Sequence, residues 1–200
     1  ETLKLALCFG RLPHAGSGSI SCSGGEASLA ADTAVGTSVI FPDLTDRQTG
    51  DLGQALGPMV ALANPLDYHT YIWRDEEAMT RAWSALAADH LSLILIILDY
   101  PRPDRCDPKD WEIATRAVIA AAKRTGARYA VVASLPELLP EATAEVLISE
   151  GVGAFHGLDH AIAAIDALSG PTDTSFQPVL APGPEREPTT LTEAEAKAAL

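Results

Sequence analysis

The sequence predicts an α/β fold in which a mainly parallel sheet of five or six strands lies between two layers of helices. Short apolar stretches of strand length alternate with longer helical stretches along most of the chain. Such alternation is typical of parallel sheets, because each crossover between parallel strands needs a connecting helix. The run LILIIL at 93–98 is apolar throughout, as expected of a strand that is covered on both faces. These patterns predict a three-layer αβα, doubly wound, flavodoxin-like domain over residues 16–169.

Each element has its own signal in the sequence. Six segments have the length and apolar content of strands: 17–22, 37–41, 58–63, 91–98, 127–134 and 152–155. Six segments have helical patterns: 26–35, 43–56, 75–89, 108–125, 140–150 and 159–169. Asp75 is predicted to cap one helix, and Asp107 with Pro108 to form the N-cap and first position of the next. Ligands of such sheets bind beyond the carboxyl ends of the strands, which is the edge where Asp99 and Ser134 are expected.

The two ends of the sequence lie outside this predicted domain. Residues 1–15 are predicted to form a helical and loop lead-in. The segment 170–190 contains five prolines and no periodicity, which indicates a linker. Thr192 followed by Glu195 matches a capping box, so 191–200 is predicted to begin a further domain. Because both ends read as parts of helices, we expect the sequence to be a piece of a longer protein.

Composition excludes several classes of function. The 200 residues carry a formal net charge of −13, with a pI near 4.6. This charge argues against a nucleic-acid partner, which needs a basic face. No stretch has the roughly eighteen apolar residues of a membrane span. Cys8, Cys22 and Cys106 are widely spaced, and neither they nor the histidines have metal-ligand spacing. We therefore expect no disulfide framework, no metal site, no membrane partner and a cytoplasmic location.

The stretch CSGGEA at 22–27 joins the first predicted strand to the first crossover helix. Glycines at such a junction let the backbone turn tightly and approach a ligand closely. The first N–H groups of the helix have no intrahelical acceptor and lie at the positive end of the helix dipole. Ser23, Gly24, Gly25 and Glu26 are therefore candidate phosphate-binding residues. The alternative is that the glycines serve only the turn and the packing of the helix.

The stretch ANPLDYHTYIW at 63–73 is the second candidate. The proline after Asn64 has no N–H to donate, so it ends the predicted strand abruptly. Asn64, Asp67 and His69 are then predicted to face the ligand edge. Either this segment is a loop of an active site or interface, or it is a structured turn in which Asp67 accepts hydrogen bonds from nearby amides.

Particular residues suggest three other chemistries. Cys22 lies at a helix start, where the pKa of a thiol can be lowered, which would suit a nucleophile. Ser23, Asp99 and His156 follow the Ser, Asp, His chain order of α/β-hydrolases, although no oxyanion loop precedes Ser23. The stretch around His14 is reminiscent of a phosphorylatable histidine. However, His14 precedes the first strand and is expected at the opposite edge of the sheet.

Three stretches together resemble the NDP-forming acyl-CoA synthetases, the acetate–CoA ligase (ADP-forming) group that is related to succinyl-CoA synthetase. They are SCSGGEASLAAD at 21–32, ANPLDYHTYIW at 63–73 and LTEAEAKAAL at 191–200. The resemblance covers nearly the whole sequence. It implies a ligase that converts a carboxylic acid, CoA and ATP to acyl-CoA, ADP and phosphate. The reaction would pass through an acyl phosphate and a phosphohistidine on a swinging loop.

The resemblance also implies that different domains bind the phosphate, CoA and ATP. This chain is similar to the C-terminal, ligase-CoA subdomain of the succinyl-CoA synthetase β subunit. The resemblance implies that the helix start at 23–26 of this sequence would hold the phosphate of the phosphohistidine. That histidine, the CoA-binding domain and the ATP-grasp domain would lie outside the sequence, although 191–200 would begin the ATP-grasp domain. CoA and ATP with Mg²⁺ would bind mainly to those domains. The sequence itself would hold no catalytic residue and be inactive alone, and a homo-oligomer is compatible with this assignment. The alternatives are a non-catalytic flavodoxin-like binding or assembly module, and a serine hydrolase using Ser23.

Overall fold

A computed structural model describes residues 1–170 and 190–199, and the chain divides into two compact units between Gly170 and Pro171. The first unit contains one five-stranded sheet. Its strands are β1 (Ser17–Ser21), β2 (Leu66–Asp67), β3 (Leu93–Ile97), β4 (Tyr129–Ala133) and β5 (Gly153–His156). They are parallel throughout and lie in the order β2-β1-β3-β4-β5. The predicted fold class, a doubly wound α/β sheet, is confirmed.

Helices cover both faces of the sheet. The first unit has α1 (Thr2–Phe9), α2 (Gly24–Ala34), α3 (Asp46–Leu56), α4 (Glu76–Leu86), α5 (Lys109–Thr125), α6 (Glu141–Ser149) and α7 (Leu158–Ser169). Side chains of α3, α4, α5 and α6 share one buried cluster with the sheet. Side chains of α1, α2 and α7 share another on the opposite face. The domain therefore has the predicted three layers. None of the helices in the described part of the chain is both long and apolar enough to cross a membrane.

The two faces of the sheet differ in side-chain size. The face toward α4 holds large rings, with Trp83 and Tyr129 both 0% exposed. On β1, the buried Ser17, Ser19 and Ser21 alternate with Ile20, so they point to the other face. These small side chains face the layer of α1, α2 and α7. The start of α2 lies at the carboxyl edge of the sheet because α2 begins only three residues after the end of β1.

Two predicted strands do not form. Segment 37–41 contributes only an isolated parallel bridge between Gly16 and Ile40. Segment 58–63 is not a strand, and β2 forms after it instead, at Leu66–Asp67. The reason is local to β1: the side-chain amide of Asn64 occupies the edge of that strand, accepting a hydrogen bond from Ser19 N at 3.1 Å and donating one to Ser17 O at 2.9 Å. A side chain therefore takes hydrogen bonds that the predicted strand 58–63 would have made.

Helix starts match the predicted caps in part. Asp75 caps α4 as predicted, accepting a hydrogen bond from Ala78 N at 2.9 Å. Helix α2 starts at Gly24, two residues before the predicted start, with Ser23 as its N-cap. The N-cap of α5 is Pro108 rather than Asp107, because Pro108 has a non-helical ψ of 1°.

The two end segments belong to different units of the chain. Helix α1 packs against α7 and β5, so the predicted lead-in is part of the first unit. In the second unit, α8 (Glu193–Ala199) begins with the predicted capping box: Thr192 N donates to Glu195 Oε2 at 2.8 Å, and Glu195 N donates to Thr192 Oγ1 at 3.4 Å. Positions 171–189 of the predicted linker, and Leu200, lie outside the described residues.

Candidate functional site

The carboxyl ends of β1, β2 and β3 meet around the first turn of α2, because the strand order reverses between β1 and β3. Ser23 is the N-cap, with an extended backbone at φ −143° and ψ 130°. Its Oγ accepts a hydrogen bond from Gly25 N at 3.2 Å, and its carbonyl accepts one from Ala27 N at 3.1 Å. The described residues provide no acceptor for the amides of Gly24 and Glu26. Two donors of the helix start are therefore available to a ligand.

Packing does not require a glycine at position 25, whereas a side chain at Gly24 would make a tight contact. Gly24 and Gly25 are exposed, and neither has a left-handed backbone. A Cβ on Gly25 would lie 3.4 Å from Ser23 Oγ, an ordinary contact, and one on Gly24 would lie 3.3 Å from Asp67 Oδ2. By contrast, a Cβ on Gly16 would lie 2.5 Å from the carbonyl oxygen of His90. Packing thus explains Gly16 but not Gly25, which weakens the view that the glycines serve the turn alone.

Glu26 occupies the third position of α2 and is partly buried. Burial, together with the negative charges of Asp99 and Asp67, raises its pKa to about 7, although a hydrogen bond from the Cys22 backbone acts in the opposite direction. Its Oε2 is buried and has no hydrogen-bond partner among residues 1–170 and 190–199. Glu26 therefore changes its charge near neutral pH, directly at the helix start.

Asp67 and His69 lie at the edge where they were predicted. Asp67 is the last residue of β2 and pairs in register with Ser21. Its Oδ1 accepts a hydrogen bond from His69 N at 2.7 Å, and its Oδ2 lies 3.5 Å from His69 Nδ1. His69 has a left-handed φ of 56°, and its side chain is 45% exposed. The turn therefore presents an imidazole to solvent beside the start of α2.

Asn64 lies elsewhere than predicted. Besides its two bonds to β1, its amide donates to Pro42 O at 3.0 Å. These partners are at the amino half of β1 and in the loop after α2, not at the carboxyl ends of the strands. Asn64 therefore holds the edge of the sheet together, and the prediction that it faces the ligand edge is not matched by its position.

Sequence reasoning missed Tyr68 as part of this site. Its side chain is 1% exposed, and its Oη has no hydrogen-bond partner in the described part of the chain. Burial raises its pKa well above the ordinary range, and Cys22, Glu26 and Asp67 raise it further. The available signal was alternation, since the buried Leu66 and Tyr68 lie on either side of the half-buried Asp67.

The alternative chemistries are not assembled. Burial and the charge of Glu26 raise the pKa of the Cys22 thiol, the opposite of what a nucleophile needs. Both carboxylate oxygens of Asp99 accept hydrogen bonds from Ser134. Ser134 N donates to Asp99 Oδ1 at 2.7 Å, and Ser134 Oγ donates to Asp99 Oδ2 at 2.5 Å. His156 lies against Lys4, with Nδ1 and Nζ 3.2 Å apart. A triad with Ser23 therefore does not form.

The remaining candidates for ligands or metals are few. The backbone amide of His14 donates to Ser92 Oγ at 3.1 Å, which places it before β1 and β3, at the amino edge. Within the described ranges, no group of three or more His, Cys, Asp or Glu side chains could hold a metal ion. The atoms best suited to a ligand are the amides at the start of α2.

Comparison with known proteins supports the fold. No protein-family profile matches the sequence, and neither does any curated protein. Among solved structures, PH0766 from Pyrococcus horikoshii OT3 is similar at a TM-score of 0.65 and 18% identity, over 84% of this chain and 39% of that one.

Two further structures are of the dinucleotide forming acetyl-coenzyme A synthetase 1 from Ca. Korarchaeum cryptofilum. The apo form has a TM-score of 0.61 at 14% identity, over 83% of this chain and 37% of that one. The complex with phosphate and ADP has a TM-score of 0.60 at 14% identity, over 79% and 33%.

These likenesses bear on the fold. The resemblance to acyl-CoA synthetases, predicted from three sequence motifs, has a counterpart in the fold. At 14–18% identity the likeness shows the fold alone. The chain spans between 33% and 39% of the length of the structures it matches.

Proposed function

We propose that this chain is a subdomain of an ADP-forming acyl-CoA synthetase and that the first turn of α2 docks a phosphoryl group. The observation that carries this proposal is the pair of exposed glycines, Gly24 and Gly25. At Gly25 the fold gives no reason for a glycine, yet a side chain there would stand beside the two unpaired amides. Unpaired N–H groups at the positive end of a helix dipole bind phosphate without any Lys or Arg.

Electrostatics set a condition on this docking. The carboxylates of Glu26, Asp67 and Asp99 surround the helix start and would repel a dianion. Glu26 relieves part of this repulsion, because a carboxyl group whose pKa is about 7 is largely neutral below that pH. We propose that its unpaired Oε2 contacts the imidazole that carries the phosphoryl group, and so orients that ring.

The reaction itself belongs to a larger protein under this proposal. A carboxylic acid, CoA and ATP would give acyl-CoA, ADP and phosphate. The CoA-binding and ATP-grasp domains would hold CoA and ATP with Mg²⁺ and supply the phosphohistidine. One similar structure is described as a complex with phosphate and ADP, which supports a phosphate-handling protein of this fold. The chain studied alone would be inactive.

A phosphate titration of the ¹⁵N-labelled chain tests the docking. We expect the amide resonances of Gly24, Gly25 and Glu26 to shift with inorganic phosphate, and we expect Gly25→Val to abolish these shifts. Gly50→Val is the matched control, since Gly50 is also an exposed helical glycine with open space around it.

Two outcomes would contradict the proposal. One is equal phosphate binding by the Gly25→Val chain and the unmodified chain. The other is an absence of shifts in the first turn of α2 at saturating phosphate, which would favour the non-catalytic binding or assembly module.

A further inference from the structure

The strand β5 lies at one end of the strand order, so one of its sides faces away from the sheet. On the inner side, Gly157 N donates to Ala133 O of β4 at 3.1 Å. Successive residues of a strand direct their backbone groups to opposite sides, so those of Ala154 and His156 point away from β4. Outward N–H and C=O groups on an edge strand form a template on which a strand of another chain can add.

Side chains occupy both outward carbonyls of this strand. Lys4 Nζ, from α1, donates to Ala154 O at 3.0 Å. The His160 ring, from α7, places Nδ1 3.2 Å from His156 O. A carbonyl oxygen can only accept, so Nδ1 is the donor of this bond. Each oxygen therefore has a donor in place where an incoming strand would present its own.

Helix α1 also covers this edge by packing. Ala154 is 0% exposed although it lies on an edge strand. Leu5 of α1 is buried as well, in the same cluster as Phe155. Further along the helix, the ring of Phe9 reaches the start of β5, with Cε2 3.0 Å from the position of a Cβ on Gly153. Helix α1 therefore lies over the outward side of β5.

The position of α1 depends on this packing and on one ammonium group. The helix has eight residues, fewer than the ~12–15 that an isolated helix needs in water. Besides its bond to Ala154 O, Lys4 Nζ lies 3.1 Å from Glu1 Oε1 and 3.2 Å from His156 Nδ1. Loss of this group would leave the buried Ala154 O without its donor, which is unfavourable.

The opposite edge of the sheet has a different protection. The edge strand there, β2, has two residues, and very short edge strands offer little template for pairing. By contrast, β5 has four residues, of which Ala154 and Phe155 are apolar. The edge at β5 is therefore the one that needs a cover.

We propose that α1 is a cover that keeps β5 closed to a second copy of this chain, and that Lys4 is the residue that anchors it. With α1 displaced, the outward groups of β5 are free to pair with β5 of another copy, antiparallel about a two-fold axis. The cover and the proposed docking turn are separate, since β3 and β4 lie between β1 and β5.

The variant Lys4→Met tests the cover, because it keeps the apolar stem of the side chain and removes the donor to Ala154 O. We expect the α1 amides to exchange with solvent about tenfold faster, the usual effect of leaving one buried polar group unpaired. We also expect sedimentation equilibrium to show a concentration-dependent dimer, while the unmodified chain stays monomeric at the same concentrations. Lys123→Met is the matched control, since it removes an exposed ion pair between α5 and Glu150 at the end of α6.

Hydrogen exchange also locates the contact between the two copies. In Lys4→Met, we expect the protection of the Ala154 and His156 amides to rise with protein concentration, as pairing through β5 requires. Lys4→Arg keeps a charged donor at this position, so we expect it to restore the monomer.

Several results would overturn the cover. A Lys4→Met chain that stays monomeric while its α1 amides exchange faster would show that the uncovered edge does not pair. Unchanged exchange in α1 would show that Lys4 does not anchor the helix. Equal dimerisation of Lys123→Met, or a dimer of the unmodified chain with the Ala154 and His156 amides protected, would contradict the proposal as well.

Discussion

The two edges of the sheet differ in how their polar groups are paired. At the amino edge, His14 N donates to Ser92 Oγ at 3.1 Å, Gly16 N donates to His14 Nδ1 at 3.2 Å, and Ser92 N donates to Gly16 O at 2.7 Å. At the carboxyl edge, within the described ranges, Glu26 Oε2 and Tyr68 Oη have no partner.

This difference indicates that unpaired buried polar groups lower stability more at the carboxyl edge than at the amino edge. A buried polar group without a partner costs about 1–3 kcal/mol. Among the described residues, the carboxyl edge leaves two such groups, Glu26 Oε2 and Tyr68 Oη, whereas the loops at the amino edge leave one, Ser84 Oγ. The glycines repeat the contrast, because packing requires Gly16 but not Gly25. Departures from local optimisation tend to mark functional sites, so the comparison favours the carboxyl edge as the place of function.

The largest expected effect is at the amino edge. Gly16→Ala places a methyl group 2.5 Å from the carbonyl oxygen of His90, so the backbone must shift. We expect the free energy of unfolding to fall by about 1–3 kcal/mol, as for other overpacked sites. Urea denaturation measures this change. An unaltered midpoint would show that the amino edge is looser than its hydrogen bonds indicate.

A similar loss is expected where Asn64 replaces a strand. Asn64→Ala removes three hydrogen bonds and leaves Ser17 O, Ser19 N and Pro42 O unpaired. We expect a loss of about 1–3 kcal/mol in the free energy of unfolding. Asp67→Asn, which keeps an acceptor for His69 N, is the control and should change stability much less. Equal losses in both variants would contradict a structural role that is specific to Asn64.

Gly25→Ala should change stability in the opposite direction from Gly16→Ala. Gly25 is helical, and its Cβ position makes only an ordinary contact at 3.4 Å. Alanine is favoured over glycine in helices by up to about 1 kcal/mol, so we expect a gain of about 0.5 kcal/mol at this first turn. Chemical denaturation measures it. A loss of stability would mean that the fold needs this glycine after all.

The last expected effect concerns pH. The pKa of Glu26 is about 7 in the folded chain and has an ordinary value of 4.5, so between these values the folded state binds the extra proton. The contribution of Glu26 to stability is therefore full below about pH 4.5 and is lost as pH rises toward about 7. Melting temperatures of the unmodified chain and of Glu26→Gln, compared across this range, isolate the effect. Parallel curves would contradict it.

Much of the fold could be predicted from local pattern. The apolar run at 93–98 contains β3, the predicted Asp75 cap starts α4, and the pairing of Thr192 with Glu195 starts α8. These features depend on residues close together in sequence. The candidate site was predicted partly, since the strand–glycine–helix junction brought Ser23 to the ligand edge and the turn after β2 brought Asp67 and His69.

The amino-acid sequence by itself determined the alternation of strands and helices and the edge at which ligands can bind. Three features were decided only by the tertiary structure. The Asn64 side chain makes hydrogen bonds to β1 in place of a strand, and Asp99 accepts a hydrogen bond from Ser134 rather than from a histidine. The third is the buried Tyr68 hydroxyl, which has no partner within the described residues. The physical reason is distance along the chain. A cap or an apolar run is decided by neighbours within one turn, whereas a hydrogen-bond partner such as Asn64 for Ser19 is chosen among all groups that folding brings together.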